Sequence, residues 1–150
     1  MPMAPADMLD ILLVEDSTSD IDFIREGLAC AALPHRLHVV RNGIDAMSFL
    51  RQGADHAAAP EPDLMLLDLN LPRMNGIEVL NEVKSDPRLK HIPVIVLSTS
   101  RAPADIGMCY EAHANSYVVK PVDIEEFVEA IGTIEQFWLS LAARPKRIRN

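Results

Sequence analysis

The sequence predicts an α/β fold, a doubly wound sheet of five parallel strands with helices on both faces. Three observations predict it. Short apolar runs recur at residues 10–14, 37–40, 64–68, 93–97 and 117–119. Between them lie stretches whose apolar residues fall at helical spacing, and strands that alternate with helices pair in parallel. The runs at 64–68 and 93–97 are apolar without alternation, as expected of strands buried on both faces.

Each element has its own signal. Residues 1–8, with Pro2 and Pro5, read as a loose arm. The first strand, 10–14, ends in Glu15-Asp16, and Ser17, Thr18 and Ser19 offer N-cap chemistry to a helix with Ile21, Ile24, Leu28 and Ala31 on one stripe. Pro34 closes that segment, and 37–40 is a short second strand. After the turn at Arg41-Asn42-Gly43, Ile44, Met47 and Leu50 mark a second helix with Phe49 beside them. Residues 53–62 form a connecting loop containing Ala and Pro. The third strand runs into Asp68, and Pro72, with no N–H to donate, prevents its continuation as a central strand. Asn75-Gly76 opens a third helix with Ile77, Leu80 and Val83 inward and Glu78, Glu82 and Lys84 outward; Asp86-Pro87 ends it. The fourth strand leads to Ser98-Thr99-Ser100. Pro103 suits the first turn of a fourth helix, with Ile106, Cys109, Tyr110 and His113 on one face and Gly107 as a weak point. Lys120-Pro121 follows the fifth strand directly. The last helix carries a stripe of Ile124, Phe127, Val128, Ile131, Ile134, Trp138 and Leu141.

The 150 residues suit one domain, placed at 9–141, with 1–8 and 142–150 as flexible termini. A net charge of -8 argues against binding nucleic acid or anionic membranes. Arg144, Lys146, Arg147 and Arg149 make the tail basic, and the bland reading is a solvated end. Cys30 and Cys109 are too few and too far apart for a disulfide scaffold or a zinc site, so buried reduced thiols are expected. His35, His38, His56, His91 and His113 show no ligand or base spacing. No signal peptide and no bilayer-length apolar run is visible, which makes the cytoplasm the default compartment. Too few residues follow Leu141 for an output module, so output by protein–protein contact is expected.

Polar residues stand at the carboxyl ends of four strands: Glu15 and Asp16, Asp68, Ser98, and Lys120. In open parallel sheets the ligand site lies beyond these ends, where strand order reverses. Taken singly, Asp68 could cap a loop, Ser98 could be a plain strand-end hydroxyl and Lys120 a solvated lysine. Together they make a site. Three converging carboxylates repel one another, and a hard divalent cation resolves that repulsion. Mg2+ fits best, because it uses one or two carboxylates, keeps waters and accepts a phosphate oxygen. The chemistry permitted is phosphoryl transfer onto a carboxylate, with Asp68 as nucleophile. Mg2+, the Lys120 ammonium, and the Ser98 hydroxyl or a backbone N–H would each cover one phosphoryl oxygen.

The set Glu15-Asp16, Asp68, Ser98 and Lys120-Pro121, with Tyr117 three residues before the lysine, resembles the receiver domain of two-component response regulators. The resemblance covers about residues 9–141. It implies the flavodoxin-like strand order 2-1-3-4-5 and a partner histidine kinase that phosphorylates Asp68. It implies Mg2+ held directly by Asp16 and Asp68, by Glu15 through water and by the Asn70 carbonyl. It also makes Ser98 and Tyr117 a switch pair, with Ser in place of the commoner Thr, and Lys120–Pro121 a cis peptide. A finer resemblance is to the stand-alone regulators serving bacterial phytochromes. It rests on Val14-Glu15-Asp16-Ser17, Leu67-Asp68-Leu69-Asn70-Leu71-Pro72, the long connection before the third strand, and Gln136-Phe137-Trp138 in an extended last helix. It implies a bacteriophytochrome as the kinase and a homodimer through helix four, strand five and helix five.

Two rivals remain at this level. A haloacid-dehalogenase-type phosphatase shares the Asp nucleophile but places Asp-x-Asp after its first strand, where this chain has Glu15-Asp16. A docking module without phosphorylation conflicts with the intact set of Asp16, Asp68 and Lys120.

Overall fold

Apolar β-branched and leucine-rich runs form the strands, and polar caps start all the helices but the fourth, which opens on Pro103. The computed structural model describes residues 8–29 and 33–145. In chain order the elements are β1 (Leu9–Val14), α1 (Thr18–Leu28), β2 (His35–Val40), α2 (Gly43–Leu50), β3 (Leu64–Asp68), α3 (Gly76–Ser85), β4 (Val94–Ser98), α4 (Pro103–Glu111), β5 (Ser116–Val119) and α5 (Ile124–Glu135). The sheet has the order β2-β1-β3-β4-β5, and every pairing is parallel. This is the expected doubly wound arrangement, and the order reverses between β1 and β3.

The two-residue period of the strands divides the core in two. Leu12, Val14, Met65, Leu67, Val94 and Val96 face α2 and α3. Their neighbours Ile11, Leu13, Leu64, Leu66, Ile95 and Leu97 face α1 and α5. Burial on both faces explains why β1, β3 and β4 read as unbroken apolar runs. Helices α1 and α5 approach closely at Gly27, where an added Cβ would lie 2.7 Å from Ile131 Cβ. Ser17, Asn42, Asn75 and Asp123 cap α1, α2, α3 and α5, and Asn75 with Glu78 forms a capping box.

Several expected details shift. Strand β2 starts at His35 rather than at residue 37. In α2, Ala46 joins Met47, Phe49 and Leu50 inside, while Ile44 is exposed. Cys109 is the one buried residue of α4; Tyr110 is exposed, and His113 lies beyond the helix with φ 70. A helix at the edge of the sheet, against short β5, has little apolar area to cover. The last helix is α only to Glu135 and continues as a π-helical turn, Gln136–Leu141. The widened turn rotates the stripe, so Leu139 is buried and Leu141 exposed. Ile124, on the first turn, is exposed as well. Cys109 is a buried free thiol, as expected. Cys30, Ala31, the arm 1–7 and the basic residues Lys146, Arg147 and Arg149 lie outside the described residues. Arg144 donates to the carbonyls of Trp138 and Leu139. No helix among the described residues is long and apolar enough to cross a membrane.

The amino end of the sheet is closed by neutralised charge. Asp10 is fully buried and accepts from Arg36 at 2.8 and 3.0 Å and contacts His38 at 2.9 Å. Its backbone N–H donates to Asp63. His91 Nε2 lies 3.1 Å from the buried Glu61 carboxylate. Lys84 donates to the carbonyls of Lys90 and Ile92 and to Asn115 Oδ1, tying α3 to the starts of β4 and β5.

Candidate functional site

The opposite, carboxyl end gathers four strand ends. Strand β1 delivers Glu15 and Asp16, β3 ends at Asp68, β4 at Ser98, and β5 is followed by Lys120. Asp68 is placed by β3, whose residues are all buried, and by the close packing of Gly76 behind its carbonyl, where an added Cβ would collide with the Asp68 oxygen. The Gly76 N–H donates to the Leu69 carbonyl at 2.9 Å, which folds the β3–α3 loop back over the strand end.

One carboxylate oxygen each from Glu15, Asp16 and Asp68 lies within 4.8 Å of the others. Glu15 and Asp68 are buried and Asp16 is exposed. All three donors are hard oxygens, and among the described residues no nitrogen or sulfur ligand joins them. Such a donor set suits a hard divalent cation, and a softer metal has nothing to prefer there. Asn70 stands exposed at the rim, with its N–H donating to Asp68 Oδ1 at 3.3 Å.

Lys120 Nζ is the cation among these anions. It bonds Glu15 Oε2 at 2.9 Å and Asp20 Oδ2 at 2.8 Å, and stands 3.6 Å from Asp68 Oδ2. Burial pushes Glu15 up to about 7, with repulsion from Asp68 adding to it and the Lys120 hydrogen bond opposing it. Burial works against the charge on Lys120, but Asp20, Glu15 and Asp68 together outweigh it and hold the ammonium above its ordinary pKa.

Ser98 is buried, and its Oγ accepts the Ser100 N–H at 3.2 Å. The Tyr117 hydroxyl donates to the Ser100 carbonyl at 2.9 Å, so the ring already lies against the core beside α4. Ser100 Oγ in turn donates to Asp105 on α4 at 2.5 Å. Ser98 and Tyr117 are thus joined through one residue, Ser100. A cavity of about 580 Å³ opens beside Ser98, between Asn70, Leu71, Ser100 and Met108.

Every site residue expected from the sequence therefore lies in this one region. One expected feature fails. The Lys120–Pro121 bond is trans, as is every other peptide bond among the described residues. The Lys120 N–H keeps its ladder bond to the Ser98 carbonyl at 2.7 Å, and an X–Pro bond favours trans by about 0.5–1 kcal/mol where nothing forces the alternative. Sequence reasoning missed Asp20 and Ser100. An acid in the first turn of a capped helix reads as a complement to the helix dipole, and no local pattern connects it to a lysine 100 residues away.

The chain matches the response regulator receiver domain family over residues 11–132. It is 43% identical over 135 residues to the response regulator Rcp1 of Synechocystis sp., covering 90% of this chain and 92% of that protein. The crystal structure of the phosphorylated cyanobacterial phytochrome response regulator RcpA superposes with a TM-score of 0.90 at 48% identity, covering 93% of this chain and 99% of that one. The Mn(2+)-bound form of Rcp1 superposes with a TM-score of 0.89 at 42% identity, covering 92% and 99%.

Proposed function

The chain belongs to the response regulator receiver family, and on that premise we propose that it takes a phosphoryl group from a histidine kinase onto Asp68 in a Mg2+-dependent reaction. The observation that carries this reading is the convergence of Glu15, Asp16 and Asp68 around a common point with Lys120 Nζ beside them. A carboxylate oxygen of Asp68 attacks phosphorus, the P–N bond to the kinase histidine breaks, and the imidazole leaves. Asp16, Asp68, Glu15 and the Asn70 carbonyl are the groups to hold Mg2+, which when bound offsets charge on the phosphoryl oxygens. Lys120 covers a second oxygen, and the Ser98 hydroxyl donates to a third. With acetyl phosphate and Mg2+, wild type should gain one phosphoryl group at Asp68, and Asp68→Asn none. Equal labelling of the two proteins sinks the assignment.

The signal passes on by protein contact. Turning of the Ser98 hydroxyl toward the phosphoryl group releases the Ser100 N–H, and the Ser100 carbonyl is what holds Tyr117. Ser98→Ala should take the label while its Tyr117 ring resonances stay where they were. Shifts equal to those of wild type would count against the coupling.

The kinase we assign is of the phytochrome type, supported by the likeness to RcpA, a phytochrome response regulator. We place the protein in the cytoplasm with it. Assembly as a homodimer through α4, β5 and α5 is supported by exposed Met108, Tyr110, Ile124, Phe137 and Leu141. Trp138 is half-buried against the core and Phe137 is the exposed partner of the pair, in edge contact at 5.3 Å. Phe137→Glu should therefore turn a sedimenting dimer into a folded monomer. A wild type that sediments as a monomer when phosphorylated removes the dimer.

A further inference from the structure

We propose that Asp20 is the positioning residue of Lys120: it anchors the ammonium beside Asp68 and keeps it from closing on that carboxylate. The inference rests on the reading of Asp68 as phosphoacceptor. Lys120 has three N–H donors and a side chain only 6% exposed, so its surroundings are protein groups. Two donors have acceptors at full hydrogen-bonding distance, Asp20 at 2.8 Å and Glu15 at 2.9 Å. The third faces Asp68 across 3.6 Å, beyond a hydrogen bond. The shortest contact of this lysine is thus with Asp20, on the first turn of α1, and the longest is with the acceptor.

Asp20 is well built for an anchor. Its backbone N–H is held by the Ser17 cap at 3.3 Å, and it stands in the first turn of α1. It does not belong to the cluster of Glu15, Asp16 and Asp68. Glu15 does, and its second oxygen already accepts the Ser17 N–H at 3.1 Å. A cation entering the cluster competes with Lys120 for Glu15 but not for Asp20. Asp20 is therefore the partner that stays with the ammonium throughout.

The stand-off matters for reactivity. A carboxylate locked in a short ion pair is a poorer nucleophile than one left open, and Asp68 Oδ2 is left open. Once phosphoryl is on Asp68, its oxygens extend toward Nζ and the third donor is in place to meet one of them. Without the Asp20 charge, Asp68 becomes the strongest remaining acceptor for that donor, and the pair closes before any phosphoryl arrives.

Two measurements test this on the full chain. In metal-free, 15N-labelled protein the buried Lys120 ammonium gives a resolved signal, assigned by its loss in Lys120→Met. Asp20→Asn should move that signal, and Asp20→Glu should keep it near the wild-type position. At saturating Mg2+, acetyl phosphate should label Asp20→Asn on the order of tenfold more slowly than wild type, the scale of a misplaced reacting group, with much of the rate recovered in Asp20→Glu. Circular dichroism confirms the fold of each variant. An unmoved ammonium signal overturns the anchor, as does a rate in Asp20→Asn within about twofold of a labelled wild type. A wild type that takes no label overturns the acceptor reading instead, and the metal-free signal then decides the anchor alone.

Discussion

The two ends of the sheet both bury charge, and they treat it differently. At the amino end Asp10 has Arg36 and His38 against it, and Glu61 has the His91 imidazole at 3.1 Å. At the carboxyl end Glu15, Asp20 and Asp68 share the ammonium of Lys120, and Asp16 adds a further carboxylate to the cluster of Glu15 and Asp68. In the first arrangement cationic or imidazole groups match the two carboxylates; in the second the carboxylates outnumber the ammonium. A fold tolerates a few such deficits, and they concentrate where a ligand supplies what is missing. The difference teaches which end works and which end holds.

The largest test of that contrast exchanges its ends. Asp10→Asn removes the fully buried carboxylate that the partly exposed Arg36 and His38 contact, and should cost about 1–3 kcal/mol in urea denaturation, the usual penalty for losing one partner of a buried hydrogen-bonded set. Phosphorylation of the folded fraction should be unchanged. Asp16→Asn does the reverse. Relief of repulsion in the carboxylate cluster should raise metal-free stability by roughly 0.5–1 kcal/mol. Mg2+ at 100 times its Kd should then stabilise wild type by about 2.7 kcal/mol and this variant far less. If both substitutions destabilise alike, the carboxyl end is not in deficit.

How much of this was legible beforehand follows from the range of each interaction. The strands and capped helices were legible because apolar runs and Ser, Asn or Asp caps are local signals. The site was legible because a parallel sheet carries every strand end to one side, so Glu15, Asp68, Ser98 and Lys120 needed only their strands to be placed. Asp20 was not, because its partner is set by tertiary packing. Asp10 was not either: it merely interrupts an apolar run until Arg36 and His38 appear on the neighbouring strand. The π-helical turn at Gln136–Leu141 left no mark on a stripe read at α-helical spacing, and that is why Leu141 was placed inside. The trans bond at Lys120–Pro121 departs from what the family resemblance implied, since no residue type at that position dictates the isomer.

The smallest expected effect lies at the amino end, on Lys84, whose charge is held by neutral oxygens rather than by a carboxylate. Burial pushes its ammonium down to about 8 from an ordinary 10.5. Between these values the unfolded chain keeps the proton and the folded chain gives it up, so the unfolded state binds more protons and stability rises with pH. The contribution is complete above 10.5 and is lost as pH falls through about 8. Lys84→Met lacks it. The stability of wild type relative to Lys84→Met, read from urea midpoints at several pH values across this window, should therefore increase with pH. Its slope stays below about 1.4 kcal/mol per pH unit, the limit for one proton. At neutral pH the variant should still be the less stable, because the carbonyls of Lys90 and Ile92 and the Asn115 oxygen lose their donor. A gap that narrows with pH would show that the three oxygens favour the ammonium more strongly than burial opposes it. Lys84 would then be held by its partners as Asp10 is by its own, and the contrast with the carboxyl end would sharpen.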